Sequence, residues 1–189
     1  IAIWKLGAIS IPLFKLFGHK ALSSRILDAG AKCVIVDEEG HSGLSALNVT
    51  QVLPEELTLS DQPFACVNTS AETPAVLIYT SGTTGKSKGA LHAHRVLMGH
   101  LPGVEVSHDF LGQDGDVIWT PADWAWIGGL FDVLMPGLAL GVPVVAARLP
   151  KFDAEQCVQI IRQASVRNIF FPPTALRMLK AADARIDGL

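Results

Sequence analysis

The residues most able to do chemistry lie in one eleven-residue run, Tyr79-Thr80-Ser81-Gly82-Thr83-Thr84-Gly85-Lys86-Ser87-Lys88-Gly89. Glycines let backbone N–H groups turn toward a ligand without a Cβ in the way. Successive N–H groups then form a nest for an anion. Thr80, Ser81, Thr83, Thr84 and Ser87 add hydroxyl donors, and Lys86 and Lys88 add positive charge for phosphate oxygens. The chemistry implied is the grip of a polyphosphate, such as the β- and γ-phosphates of ATP. A polar hairpin loop without a ligand is the plain alternative, and the density of donors with two lysines argues against it. A Walker A loop is a second alternative, because Gly85-Lys86-Ser87 looks like its end. That motif needs a glycine five positions before Gly85, where Thr80 stands, and a helix directly after the lysine.

The elements around this run must position it. Apolar stretches alternate between helical and strand patterns, which predicts an α/β fold with covered sheets. Helices are expected over Ile1–Gly7, His19–Ala29, from His94 onward, over Trp126–Leu140 with a kink at Pro136, from Asp153, and from Thr174 as a cap. Strands are expected at Ile9–Phe14, Lys32–Val36, Ala75–Tyr79, Gly89–Ala93, Asp116–Thr120, Val142–Ala147 and Val166–Phe171. Residues 40–73 are rich in Ser, Thr, Asn and Pro and read as a loop, with a short strand near Gln51–Leu53. Asp153 followed by Gln156 resembles a capping box, with Phe152 and Cys157 as its staple.

Composition narrows the function classes. The chain has 189 residues, 49% hydrophobic and only 17% charged, with a formal net charge of −3. No basic stripe or block is present, which argues against nucleic acid as a partner. The three cysteines, Cys33, Cys66 and Cys157, suggest neither a disulfide framework nor a zinc site, so a cytoplasmic setting is expected. The uncharged run Val133–Ala147 is too short and too broken by Pro and Gly for a membrane span, which needs about 20 apolar residues. The histidines at 92, 94, 100 and 108 lack the spacing of a metal site, and no metal ligands are assigned.

Tyr79-Thr80-Ser81-Gly82-Thr83-Thr84-Gly85-Lys86-Ser87-Lys88-Gly89 resembles the signature of the adenylate-forming superfamily, which includes acyl-CoA synthetases, luciferases and peptide-synthetase adenylation domains. Ser87 departs from the proline usual at that position. The likeness extends to Gly7-Ala8-Ile9, Pro12-Leu13 and Leu27–Lys32 before the run, and to Trp119–Arg148, Leu149–Asp153 and Phe171–Thr174 after it. Asp116–Trp126 and Leu149–Asp153 most resemble the medium-chain and acetyl-type acyl-CoA synthetases. This resemblance implies part of the large N-terminal α/β domain, layered sheets covered by helices, with approximate pieces 1–70 and 71–189.

The implied parent is a ligase of fatty acid metabolism that joins a small carboxylate to CoA, with ATP and Mg²⁺. In that reading Thr80, Ser81, Gly82, Thr83, Thr84, Gly85, Lys86, Ser87 and Lys88 bind the phosphates, and Trp126 lies where the acyl pocket meets the pantetheine tunnel. Trp124 and Trp126 are otherwise core or interface aromatics. The chain does not open on methionine, and both ends read as cut. The later motifs for adenine and ribose, the hinge and the C-terminal catalytic lysine are not found, so no catalytic residue is assigned. The isolated chain is expected to be inactive without the remainder of the parent enzyme. A non-catalytic nucleotide-binding fragment and another adenylate-forming enzyme are the alternative readings.

Overall fold

The computed structural model describes residues 1–58, 60–81, 87–147, 149 and 151–186. These form two compact units, Ile1–Ala93 and His94–Leu189. The expected division near residue 70 falls inside the first unit.

In the first unit, α1 (Ala2–Lys5) ends at Gly7, whose φ of 68° lets the chain turn away. The strand expected at Ile9–Phe14 reduces to a parallel bridge between Ser10 and Val76. Pro12 lacks the N–H that a longer ladder needs. Trp4 Nε1 donates to Ser10 Oγ at 3.0 Å and to the Ala75 carbonyl at 2.9 Å, tying this segment to the residues that follow Pro74. Helix α2 (His19–Asp28) and strand β1 (Cys33–Ile35) follow as expected. Helix α3 (Glu38–Leu44) stands where a loop is predicted. Asp37 starts it by accepting a hydrogen bond from the Gly40 N–H at 2.9 Å, and Glu38 and Glu39 favour its positive end. Strand β2 (Thr50–Val52) pairs parallel with β1. A single 3₁₀ turn, Pro54–Glu56, follows. Strands β3 (Pro74–Ser81) and β4 (Ser87–Ala93) form an antiparallel ribbon.

The second unit begins with α4 (Val96–Ser107) and β5 (Ile118–Trp119). The apolar helix expected over Trp126–Leu140 is present in three conformations. Ile127–Gly129 is α-helical (α5), Leu130–Leu134 is a π turn, and Met135–Leu140 is α-helical again (α6). The widened turn leads into Pro136, which has no N–H to donate to the turn before it. The strand expected at Val142–Ala147 is one bridge, Val144 to Ile118. Helix α7 (Ala154–Gln163) is capped by Asp153, which accepts from the Gln156 N–H at 2.8 Å. Strand β6 (Asn168–Ile169) pairs parallel with β5. Helix α8 (Pro173–Ala181) starts at Pro173 rather than at a Thr174 cap, because proline suits the first helical position. Two apolar clusters hold the unit. One gathers Val104, Leu111, Ile118, Val133 and Val142, and the other gathers Trp119, Cys157, Ile161, Val166 and Leu179.

Asp116 fastens the N-terminal ends of β5 and β6. Its carboxylate accepts from the Gly112 and Gln113 N–H groups at 3.0 and 2.9 Å and from Asn168 Nδ2 at 2.9 Å. Burial alone would raise its pKa, but these hydrogen bonds and Arg167 at 3.6 Å outweigh it and lower it. A lowered folded pKa stabilises the fold above the ordinary carboxylate range, and this is lost as pH falls through the folded value. Asp116→Asn is therefore expected to cost about 1–3 kcal/mol near neutral pH. The penalty should shrink below about pH 4, as measured by urea unfolding across pH.

Candidate functional site

The ribbon β3–β4 brings the two flanks of the donor-rich run together. Ser81 pairs with Ser87, Thr80 with Lys88 and Tyr79 with Gly89. Gly82, Thr83, Thr84, Gly85 and Lys86, five of the predicted phosphate-binding residues, lie outside the described residues. Of the other four, Thr80 and Lys88 are exposed and sit directly opposite each other across the ribbon. Thr80 Oγ1 also donates to the Lys88 carbonyl at 3.5 Å, and Ser87 is half-buried.

Alternation along a strand sends neighbouring residues to opposite faces. Thr80 and Lys88 therefore share one face, and Tyr79 and Gly89 share the other. Tyr79 is 6% exposed. A Cβ on Gly89 would stand 2.9 Å from Leu77 Cδ1 and 3.4 Å from Tyr79 Cζ, so the glycine clears room for both side chains.

The Tyr79 hydroxyl donates to Asp28 Oδ2 at 2.6 Å. Three residues before Asp28 on α2, the Arg25 guanidinium lies 4.2 Å from the centroid of Phe17 and 5.8 Å from that of Tyr79. Arg25 Nη1 donates to the Ala21 carbonyl at 2.7 Å. Sequence reasoning did not select Asp28 or Arg25. The available signal was a carboxylate in the last position of a helix, where the carbonyl ends disfavour negative charge by about 0.3–1 kcal/mol.

Trp126 belongs to the second unit. It is 42% exposed and sits immediately before α5. Its N–H donates to the Asp123 carbonyl at 3.1 Å, and Asp123 Oδ1 accepts from the Ala125 N–H at 2.7 Å. A Cβ on Gly129 would come 2.6 Å from the Asp123 carbonyl oxygen. Only glycine admits that approach, so the turn presenting Trp126 rests on the start of the helix. Trp124 is half-buried. Nearby, His100 Nδ1 and Asp132 Oδ1 pair at 2.8 Å, and the His100 ring packs on Phe131 with centroids 5.5 Å apart. Burial lowers the pKa of His108, against a weaker opposing pull from its Asn168 hydrogen bond and from Asp116 and Asp132. Among the described residues no group of three or more His, Cys, Asp or Glu is placed to hold a metal ion. No helix among them is long and apolar enough to cross a membrane.

The family model described as "AMP-binding enzyme" matches residues 1–187. Acetyl-coenzyme A synthetase 2 of Debaryomyces hansenii is 30% identical over 218 residues, covering 95% of this chain and 32% of the relative. Acetyl-coenzyme A synthetase 2 of Pseudomonas aeruginosa is 29% identical, covering 98% of this chain and 34% of the relative. The chain thus spans about a third of the length of the curated relatives it matches. A crystal structure of Brucella canis acyl-CoA synthetase superposes with a TM-score of 0.78 at 29% identity, covering 95% of this chain and 35% of that one. ATP-bound MatB from Rhodopseudomonas palustris gives a TM-score of 0.78 at 26% identity, covering 94% and 37%.

The sequence holds a single tyrosine, so its ionisation can be read directly. Burial, then the hydrogen bond and charge of Asp28, push the Tyr79 pKa up to about 12, against a smaller opposing effect of Arg25. A raised folded pKa stabilises the fold below the unfolded value near 10, and that contribution is lost as pH rises through the folded value. The tyrosinate absorbance of the native chain should therefore emerge near pH 12, and near pH 10 in urea. Native titration near 10 would contradict the hydrogen bond between the buried phenol and Asp28.

Proposed function

Because this chain belongs to the AMP-binding enzyme family, we propose that it is the nucleotide-gripping part of an acid–thiol ligase of the acyl-CoA synthetase type. The observation that carries this reading is the ribbon. Its strands end at Ser81 and Ser87, on either side of the glycine-rich run in sequence, and turn Thr80 and Lys88 to one exposed face. A threonine and a lysine opposite each other on the strands that flank such a run suit the oxygens of a triphosphate tail.

The reaction proposed for the whole protein has two displacements. A carboxylate oxygen of a small acid attacks the α-phosphorus of ATP. The bond from that phosphorus to the bridging oxygen breaks, and pyrophosphate leaves. The CoA sulfur then attacks the acyl carbon, its proton is lost, and AMP leaves. In the first step the Thr80–Lys88 segment holds the leaving pyrophosphate and offsets its charge. Gly82, Thr83, Thr84, Gly85 and Lys86 belong to that grip by sequence. Mg²⁺ is proposed to arrive with the phosphates it neutralises. We place Trp126 at the junction of the acyl and pantetheine channels, where a large ring on a braced turn excludes water. The exposure of Cys33 and Cys66 as free thiols agrees with a reducing cytoplasm.

Lys88→Ala, made in the full-length protein that carries this chain, is expected to slow adenylate formation by about 10²-fold, measured by ATP–pyrophosphate exchange. A P-loop NTPase would instead lose phosphate release on Lys86→Ala and be indifferent to Lys88→Ala. The 189-residue chain alone is expected to form no acyl-CoA, with calorimetry deciding whether it still binds ATP. Turnover by the isolated chain would refute its proposed dependence on the rest of the enzyme.

A further inference from the structure

We propose that Asp28, with Arg25 packed over the Tyr79 ring, is a positioning residue for the nucleotide: it anchors Tyr79 from behind and so fixes the face on which Thr80 and Lys88 are presented. The inference rests on the reading that this ribbon grips phosphate.

Five observations lead to it. Asp28 is the last residue of α2, where a carboxylate weakens the helix instead of helping it. Its side chain is nevertheless engaged, 51 positions along the chain, by the Tyr79 hydroxyl at 2.6 Å. Arg25 is 9% exposed, packs over Phe17 and Tyr79, and keeps a buried Nε with no partner among the described residues. A helix selected only for its own stability would avoid both features. On the ribbon, Tyr79 lies across from Gly89, and its ring and the Leu77 side chain share the room that a Cβ there would take, so the ring position is tied to the opposite strand as well as to its own. The next pair outward is Thr80 and Lys88, one residue from the anchor on each strand. A shift of the Tyr79 ring would therefore tilt the pair that faces the ligand.

The mechanism is mechanical, with no proton or covalent transfer. The phenol stays protonated and donates, the carboxylate accepts, and the guanidinium fills the space above the ring. Tyr79 and Asp28 do not touch the reacting atoms. Their effect must therefore appear in the affinity for ATP and not in that for the acid or the thiol.

The test is steady-state kinetics on the full-length protein with Tyr79→Phe, Asp28→Ala, Asp28→Asn, the Tyr79→Phe/Asp28→Ala double variant, and Lys88→Ala. Tyr79→Phe and Asp28→Ala are each expected to raise KM for ATP about three- to tenfold. KM for the carboxylate and for CoA should stay unchanged. The double variant should be no worse than either single one, because both remove the same hydrogen bond. Asp28→Asn, whose amide oxygen still accepts from the phenol, should recover most of the loss. If Asp28→Ala does not fold, Tyr79→Phe against Asp28→Asn carries the comparison, since each changes a single heavy atom. Unchanged ATP affinity in Tyr79→Phe, equal changes in all three KM values, or additive effects in the double variant would overturn the tether. If Lys88→Ala lowers ATP affinity and these variants do not, only the tether fails. If Lys88→Ala also leaves ATP binding untouched, the phosphate-grip reading fails and the tether falls with it.

Discussion

The hydrogen bond from the Tyr79 hydroxyl to Asp28, which ties the ribbon to α2, is the interaction around which the first unit is arranged. An aromatic side chain on a two-stranded ribbon normally packs beside a partner side chain. Here the partner is Gly89, and the Leu77 and Tyr79 side chains share the room a Cβ there would need, while the Tyr79 hydroxyl reaches away to α2. The same geometry sets a buried, anchored side chain next to an exposed one: burial ends within one residue, between Tyr79 and Thr80. An isolated ribbon of two strands is marginal in water. This one is held at its start by Trp4 and Ser10 on Ala75, and toward its tip by α2.

In the second unit the comparable role falls to β5. Ile118 and Trp119 are 0% and 1% exposed and point into different apolar clusters, so two residues of strand serve two cores. Truncating a side chain such as Trp119 would cost about 3–5 kcal/mol. The polar fastening by Asp116 sits at the start of this strand. The turn bearing Trp126 follows its end. Parallel strands commonly present ligand-binding groups beyond their carboxyl ends, which agrees with the place proposed for Trp126.

Much of this was legible because local chemistry decides it. The ribbon, α2, α7 and the glycine-rich run each carry their own punctuation in glycines, caps and periodicity. The misses have physical causes. Ile9–Phe14 and Val142–Ala147 have the apolar content of strands, but each shortens to one bridge, and Pro12 and Pro143 deprive them of donors. Helix α3 was read as loop because Gly40, Ser42 and Gly43 are poor helix formers, while the Asp37 cap that outweighs them is a single residue. Of the candidate site, the residues proposed to face phosphate are visible as types in a row. Asp28 is not, because its partner is 51 residues distant and nothing local marks the pair. His100 and Asp132 were hidden for the same reason, 32 positions apart.

The π turn at Leu130–Leu134 has its own consequence. Each residue of an α-helix advances the side-chain direction by about 100°, and a π turn inserts one residue beyond that count. The segments before and after it are therefore out of phase. Ile127–Gly129 answers to the Asp123 turn, while Met135–Leu140 answers to Val142, Val144 and Ile118 through Gly137. One continuous rod thereby meets two unrelated sets of neighbours, as a spliced shaft can drive two gears whose teeth do not align. Changes in the turn bearing Trp126 need not propagate as rotation into the packed end of the helix, which leaves that turn free to diverge while the interior stays fixed.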